Sequence, residues 1–361
     1  MAPAARPGAI RDNGRSATIW PVSLLPRFEP STRTRPIVDA RGQGVPGSIA
    51  TLEPLTVGGV RQWVLIRGRS ADSPLLLKLH GGPGQAEMAT VGLNGLLEAD
   101  FVVIEWDQRG SGKSAASIEP AAAMNLGQLV ADTIELTEHL TQRFGQRQLI
   151  IVGHSWGSIL GLMAVHQRPD LYSAFVSTGL IANFAEGQRV AYRFLLAEAQ
   201  RRGNRKALAE LTGLGAPPYA GADAIAQWKR CGRWLGEFGA VWHSPEKFNR
   251  VGWMLSSIEY SWPEKLRFNR AAARSFDLLF GDLMSTNLIE AVPQVEVPVF
   301  FAEGRYDQLA PVEVAERYFS SLIAPRKEWV LFENSAHFPQ WEERERFHQL
   351  LAGTVLPAAG P

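Results

Sequence analysis

The sequence predicts an α/β protein with a mostly parallel sheet flanked by helices and a helical block inserted late in the chain. Short apolar segments alternate with segments of helical spacing over residues 48–180 and again over 297–350, which is typical of a parallel sheet covered on both faces. Between residues 182 and 292 the strand signal disappears, and the pattern becomes helical and rich in tryptophan. A third observation is the apolar run 148–152, which leads into a serine between two glycines and then into a small apolar helical segment.

The first predicted strands form one edge of the sheet. Residues 48–52 and 60–66 alternate in polarity around a turn at Gly58 and Gly59, which favours an antiparallel pair. Residues 75–79 and 101–106 are more continuously apolar, as buried parallel strands should be. The remaining predicted elements are a helix over 126–144 and strands over 148–152, 173–177, 297–301 and 328–332.

The pattern divides the chain of 361 residues into an extension, a two-part core and a cap. The predicted boundaries are a poorly ordered or loosely docked extension at 1–35, a first core part at 36–181, a helical cap at 182–292 and a second core part at 293–361. A cap in this position would cover the carboxyl ends of the strands, where open α/β sheets bind ligands. Some of its tryptophans are therefore expected to line an apolar substrate pocket.

Composition excludes several classes of function. Apolar residues make up 45% of the chain, and 37 basic residues balance 36 acidic ones, so no nucleic-acid partner and no membrane-binding surface are expected. The single cysteine, Cys231, forms no intrachain disulfide, and a cytoplasmic location is the default. The seven histidines show no clustered ligand spacing, so neither a metal nor a cofactor is predicted.

Gly153–Gly157, with the sequence Gly-His-Ser-Trp-Gly, is the most informative stretch. Placed between a strand and a helix, this pattern predicts a nucleophile elbow, a turn so sharp that only glycine fits on either side of Ser155. The serine oxygen would then project from the edge of the sheet at the start of a helix. Ser155 is the predicted nucleophile.

A serine hydroxyl needs a base to remove its proton, and the base needs a third group to orient it. Asp307 and His337 each lie in a loop after a late predicted strand, in the order serine, acid, histidine that such folds use. We predict His337 as the base and Asp307 as its orienting carboxylate. Glu303 is the competing acid, but it lies closer to the end of its strand.

Acyl transfer also needs hydrogen-bond donors for the negative charge that develops on the substrate oxygen. One predicted donor is the backbone amide of Trp156, directly after the nucleophile. The other should come from the loop His80–Gly84, His-Gly-Gly-Pro-Gly, whose glycines let amides approach a ligand. Gly81 and Gly82 are both candidates, and we favour Gly82.

Three motifs, His80–Gly84, Asp107–Ser114 and Gly153–Ser158, resemble the α/β-hydrolase superfamily and, more narrowly, the proline iminopeptidase family. The resemblance covers roughly residues 45–180 and 295–350. It implies the α/β-hydrolase fold and the same triad and oxyanion donors. It also implies that the Asp107–Ser114 loop supports the site, with Arg109 held in an ion pair.

In that family, cap carboxylates recognise the substrate amine, and one tends to follow a tryptophan directly. Here Trp234 is followed by Leu235 and Gly236, and the nearest carboxylate is Glu237. Trp234, Glu237 and Gly81 are therefore the candidate substrate-binding residues. Other acidic residues of the cap that could take this part are Glu186, Glu198 and Glu259.

The sequence therefore predicts a serine hydrolase that acts through an acyl-enzyme on a small-molecule or short-peptide substrate. One hypothesis is that the protein is an aminopeptidase that releases N-terminal proline or another small residue. The alternative is a carboxylic-ester, lactone or amide hydrolase on the same scaffold. A third possibility is a non-catalytic ligand-binding protein, although such proteins usually lose a member of the triad.

Overall fold

The computed structural model describes residues 30–246 and 248–360. Most of the predicted extension, residues 1–29, lies outside the described residues. Residues 30–35 have no regular secondary structure and contact the inserted helical region. The Ser31 hydroxyl donates to the carbonyl of Ile258 at 2.8 Å, and the Thr34 hydroxyl donates to Glu259 at 3.0 Å.

The described residues form one eight-stranded sheet with the strand order β1-β2-β4-β3-β5-β6-β7-β8. The strands are β1 Ile49–Val57, β2 Val60–Gly68, β3 Leu75–Leu79, β4 Val102–Asp107, β5 Leu149–His154, β6 Tyr172–Thr178, β7 Val299–Gly304 and β8 Lys327–Phe332. β2 pairs antiparallel with β1 and β4, and all the other pairs are parallel. The predicted fold class is confirmed.

The β1–β2 hairpin turns at Gly58 and Gly59, whose φ angles are +57° and +71°. Two successive positive φ angles are what a tight hairpin turn requires, and glycine adopts them without strain. β1 extends five residues beyond the predicted end at residue 52 and includes Pro54. A proline can be accommodated there because β1 is an edge strand.

Helices cover both faces of the sheet. Outside the insertion these are α1 Leu97–Asp100, α2 Leu126–Phe144, α3 Trp156–Gln167, α10 Val312–Ser321, α11 Pro339–Glu342, α12 Arg344–Leu350 and α13 Leu356–Ala358. α2 has the predicted bounds. It begins after Asn125, whose side chain accepts the amide of Gln128, and ends at Gly145 with φ of +64°, as N-cap and C-cap preferences lead one to expect.

Alternate side chains of the central strands enter two separate apolar clusters. Leu75 and Leu77 pack on the face covered by α2 and α3, whereas Leu76 packs with Phe347 and Leu351 on the other face. This alternation follows from the two-residue period of a strand. None of the described helices carries an apolar run long enough to span a bilayer.

The inserted helices lie between β6 and β7. They are α4 Phe184–Arg201, α5 Arg205–Leu214, α6 Ala224–Glu237, α7 Arg250–Ser256, α8 Trp262–Ser285 and α9 Leu288–Ala291. Buried polar contacts join this insertion to the loop after β4. The Tyr260 hydroxyl donates to Asp107 at 2.8 Å, and the Lys113 ammonium donates to Glu264 at 2.9 Å.

Candidate active site

Ser155 lies in the turn between β5 and α3 with φ of +53° and ψ of −117°. It is the only non-glycine residue with a positive φ in the described part of the chain, and such strain is characteristic of functional turns. A methyl group on Gly157 would lie 2.1 Å from the carbonyl oxygen of Leu79, and one on Gly153 would lie 2.5 Å from the carbonyl of Gly157. The two glycines therefore allow β3, β5 and α3 to meet around the serine.

Asp307 and His337 form a buried pair beyond the ends of β7 and β8. The Nδ1 atom of His337 lies 2.7 Å from Oδ2 of Asp307. The other carboxylate oxygen, Oδ1, accepts the amides of Leu309 and Ala310 at 2.8 and 2.9 Å. These contacts hold the carboxylate in place and leave Nε2 of His337 as the ring nitrogen free to act on another group.

Ser155 and His337 line the same cavity of about 420 Å³, although they come from distant parts of the chain. No hydrogen bond joins the serine hydroxyl to the histidine ring among the described residues. In sites without substrate, contacts between nucleophile and base are often long and tighten on binding. The predicted serine and the Asp307–His337 pair thus face one chamber.

Glu303, the competing acid, lies inside β7 because this strand continues to Gly304. Its carboxylate accepts the Ser177 hydroxyl at 2.7 Å and the Leu180 amide at 3.0 Å. Burial raises the pKa of Glu303 to about 7. Both of its oxygens are thus occupied by neighbouring donors, while Asp307 holds the histidine.

The glycine loop after β3 passes directly beside the nucleophile. A methyl group on Gly81 would lie 3.1 Å from Cβ of Ser155. The Gly81 backbone opposes the rise in the pKa of Glu87 that burial causes. The amides of Gly82 and Trp156 donate to no other described residue, and the first amides of a helix have no partner within the helix.

His80, which begins the loop, serves as structural support. Its Nδ1 lies 2.8 Å from the carbonyl of Gly81, and its Nε2 lies 2.9 Å from the Ser111 hydroxyl. Burial lowers the pKa of His80 to about 4, so the ring is neutral at pH 7. The loop is therefore tied to the segment after β4.

Arg109 lies outside the cavity in a buried ion pair. Its Nε and Nη2 donate to the two oxygens of Asp132 at 2.7 and 3.0 Å, and Nη2 also donates to the carbonyl of Gly58. Both side chains are at most 1% exposed. Arg109 thus joins the hairpin, α2 and the loop after β4, and it does not line the cavity.

Six phenylalanine and tryptophan side chains line the cavity. Trp228 from α6 stacks on Phe276 from α8 with ring centroids 4.8 Å apart, and Phe338 stacks on Trp341 at 5.0 Å. The main aromatic lining residues are Phe184, Trp228, Phe248, Phe276, Phe338 and Trp341. Such a wall favours an apolar acyl or side-chain group in the pocket.

The structure corrects two of the three predicted substrate-binding residues. Gly81 lines the cavity, but Trp234 and Glu237 do not. Trp234 is buried within the insertion and donates to Glu210 at 3.3 Å, whereas Glu237 is half-exposed and lies 3.9 Å from Arg233. Trp228 faces the cavity. Trp234 comes six residues later on the same helix, so its side chain is rotated by roughly 120° about the helix axis relative to that of Trp228.

Glu186, Glu198 and Glu259 do not line the cavity either. Each contacts other side chains outside the cavity. Glu186 and Glu198 form ion pairs with arginines near the surface, and buried Glu259 accepts the hydroxyls of Thr34 and Ser257. The amine-binding carboxylate expected in the insertion is therefore not found among these three residues.

The carboxylate that does line the cavity is Glu87, which the sequence analysis missed. It lies three residues after the His80–Gly84 loop, and its half-buried side chain forms no ion pair within 4.0 Å with another described residue. Burial raises its pKa to about 7, while the Lys78 ammonium opposes this shift. The sequence feature that could have identified Glu87 as a cavity residue is its position in the loop beyond the carboxyl end of β3.

Two cations of the insertion, Lys229 on α6 and Arg250 on α7, line the same cavity. Both side chains are exposed, and neither forms an ion pair with another described residue. Arg250 is close enough for its charge to lower the pKa of Glu87. The cavity is therefore lined by an acidic group of the core and by two cations of the insertion.

Comparison with known proteins identifies the family of this chain. The family model for the alpha/beta hydrolase fold matches residues 74–344. A Bacillus subtilis (strain 168) protein named probable aminopeptidase YbaC is 33% identical over 307 residues, which is 84% of this chain and 96% of that protein. The proline iminopeptidase of Clostridium botulinum (strain Hall) is 25% identical over 77% of this chain and 88% of its own length.

Among solved structures, a proline iminopeptidase-related protein from Thermus thermophilus superposes with a TM-score of 0.61 at 20% identity. The match covers 86% of this chain and 98% of that chain. At this identity the likeness shows a shared fold. In this chain the sheet of that fold brings Ser155 and His337 to the same cavity, and Asp307 is hydrogen-bonded to His337 behind it.

Proposed function

Since this chain belongs to the alpha/beta hydrolase family, we propose that it is a serine hydrolase that releases N-terminal proline or another small residue from peptides. The observation that carries this proposal is that His337, hydrogen-bonded to Asp307, lines the same cavity as the strained Ser155. The names of the aminopeptidase and proline iminopeptidase relatives support the peptide substrate.

In the proposed mechanism His337 removes the proton of Ser155 as the serine oxygen attacks the substrate carbonyl. Asp307 stays ionised and stabilises the imidazolium that forms. The oxyanion is bound by the amides of Trp156 and Gly82, and each such donor is typically worth about 3 kcal/mol of barrier. The imidazolium then protonates the leaving amine, and the acyl-enzyme remains.

Hydrolysis of the acyl-enzyme repeats these steps with water as the nucleophile. His337 takes a proton from water, the hydroxide oxygen attacks the acyl carbon, and the serine oxygen leaves with that proton. The aromatic wall limits the access of bulk water and strengthens the electrostatic contacts inside. These steps involve only protein side chains, backbone amides and water.

A second candidate function is the hydrolysis of carboxylic esters, lactones or other amides. The observation in its favour is the charge of the cavity. Lys229 and Arg250 line it from the insertion, and Glu87 is the only Asp or Glu among its described lining residues. An ammonium bound in such a chamber depends on that single carboxylate.

A substrate panel separates the two functions. Prolyl-, alanyl- and leucyl-naphthylamides would be compared with short- and long-acyl nitrophenyl esters and with N-terminally blocked peptides. Preference for unblocked aminoacyl amides would support the aminopeptidase, whereas ester turnover with no dependence on an amine would support the second candidate. A cytoplasmic location remains part of the proposal, since the one cysteine requires no oxidising compartment.

A further inference from the structure

Glu87 and Arg250 approach the cavity from opposite sides. Glu87 lies in the loop after β3 on the sheet side, and Arg250 begins α7 on the insertion side. Their ionised side chains have opposite charges, and no ion pair within 4.0 Å joins them to each other or to another described residue. A carboxylate and a guanidinium that face one chamber without direct pairing leave room for a ligand that carries both complementary charges.

Glu87 is the charged lining residue that belongs to the same segment as the glycine loop. Glu87 follows the glycine loop, and a methyl group on Gly81 in that loop would lie 3.1 Å from Cβ of Ser155. Because Gly82 and Glu87 belong to the same segment after β3, an acyl carbonyl bound by the Gly82 amide would lie beside the segment that carries Glu87. The ammonium of an N-terminal residue is the group that such a half-buried carboxylate would bind.

Arg250 is exposed at the wall formed by the insertion. Its guanidinium lies 5.7 Å from the centre of the Phe268 ring. A guanidinium can donate two parallel hydrogen bonds to the two oxygens of one carboxylate. Lys229 adds a second positive charge to the same wall. The part of a substrate that extends away from Glu87 therefore enters a positive region.

We propose that Glu87 and Arg250 together select short peptides with a free amine and a free C-terminal carboxylate, dipeptides above all. This inference rests on the proposed aminopeptidase function and names its substrate class. Glu87 binds the ammonium of the residue that is acylated onto Ser155. Arg250 binds the carboxylate of the leaving residue, so blocked or extended peptides lose one of the two contacts.

The charges around Glu87 make this recognition sensitive to pH. Lys78 on β3, Arg250 on α7 and the Gly81 amide oppose its protonation, whereas burial and Glu105 on β4 favour it, and the pKa is raised to about 7. Below pH 7 the carboxyl group becomes neutral and loses its attraction for an ammonium. KM for substrates with a free amine should therefore rise below pH 7, and KM for uncharged esters should not share this change.

The test compares prolyl-alanine, prolyl-alanine amide and an uncharged nitrophenyl ester on the full chain. Glu87→Gln should raise KM about 10- to 100-fold for both peptides, because both carry the amine. Arg250→Gln should raise KM by a similar factor for prolyl-alanine alone. Turnover of the ester should stay within a few-fold in both variants, which shows that the nucleophile and the fold are intact.

Matched controls are Glu296→Gln and Arg147→Gln. These exposed residues precede β7 and β5 and thus lie at the opposite end of the sheet, so KM for all three substrates should stay unchanged. Equal KM for the two peptides in the wild type, or equal effects of Arg250→Gln on both, would overturn the inference while leaving an aminopeptidase. Ester turnover with no peptide turnover would overturn both proposals and leave the serine hydrolase.

Discussion

The Asp307 carboxylate binds His337 through one oxygen and two backbone amides through the other. The contact with Nδ1 of His337 is 2.7 Å long, and the side chains of both residues are at most 3% exposed. Because the amides of Leu309 and Ala310 also bind this carboxylate, it cannot turn away from the imidazole without losing several bonds. The tautomer with the proton on Nδ1 is thereby favoured.

Asp307→Asn should lower kcat by about 10⁴-fold, because an amide that donates to Nδ1 stabilises the wrong tautomer of the base. The measurement is steady-state hydrolysis of an activated ester, with circular dichroism to show that the fold is retained. Glu303→Gln is the comparison. Since Glu303 binds Ser177 and Leu180 and not the histidine, a loss of similar size in that variant would transfer the orienting role to Glu303.

Ser155→Ala should abolish turnover and leave the fold intact, since the hydroxyl forms no hydrogen bond with another described residue. An alkyl fluorophosphonate provides a direct readout. Mass spectrometry should find one adduct on the wild type and none on the variant. Activity retained within tenfold, or an adduct elsewhere, would show that another residue is the nucleophile.

The positions of the three candidate catalytic residues could be predicted because each residue follows a strand of its own. Carboxyl ends of parallel strands meet at one rim of a sheet, so Ser155, Asp307 and His337 converge once the strands are recognised. The predicted strand ended at residue 301, three residues before the observed end of β7 at Gly304, and this error did not matter for Asp307. It did matter for Glu303, which belongs to the strand and points into buried donors.

Contacts between the insertion and the sheet could not be predicted in this way. Whether Trp228 or Trp234 faces the cavity depends on the rotation of α6 about its axis, and both positions are apolar. The approach of Arg250 to Glu87 depends on how α7 docks, which no local pattern encodes. The sequence resemblance directed attention to carboxylates in the insertion, whereas the cavity carboxylate belongs to the core.

Asp132→Asn should lower the free energy of unfolding by about 3–5 kcal/mol, because it leaves the buried Arg109 guanidinium without its counter-charge. Asp132 also accepts from Gln62 and Gln128 at 2.7 and 2.8 Å, so the whole network weakens. Urea unfolding followed by fluorescence would measure the change. Activity per folded molecule should stay within a few-fold, since neither Arg109 nor Asp132 lines the cavity.

A matched control is the ion pair of Arg143 with Glu53, whose side chains are 37% and 33% exposed. Glu53→Gln should change the free energy of unfolding by less than about 1 kcal/mol, as expected for pairs near the surface. Equal effects of the two substitutions would contradict the structural role of the buried pair. A selective loss of kcat in Asp132→Asn would instead indicate that the loop after β4 takes part in the reaction.

Glu87→Gln should make the folded protein more stable at neutral and alkaline pH. The carboxyl pKa rises from 4.5 to about 7 on folding, so between these values the folded state holds a proton that the unfolded state has released. Stability of the wild type therefore falls as pH increases from about 4.5 to 7 and then stays at the lower level. Glutamine does not ionise, so the free energy of unfolding of the variant should not fall over this pH range for this reason.

At pH 8 the free energy of unfolding of Glu87→Gln should exceed that of the wild type by about 1–2 kcal/mol, a value that allows for screening of the half-buried carboxylate by solvent. This difference should vanish near pH 4.5. Urea unfolding at both pH values would measure it, with exposed Glu296→Gln as a control that shows no such difference. A gain at pH 8 together with weaker binding of free-amine substrates would mean that Glu87 is kept for recognition at a cost in stability. A variant that is less stable than the wild type at pH 8 would show that Glu87 is instead a structural carboxylate whose partners in the folded state outweigh its burial.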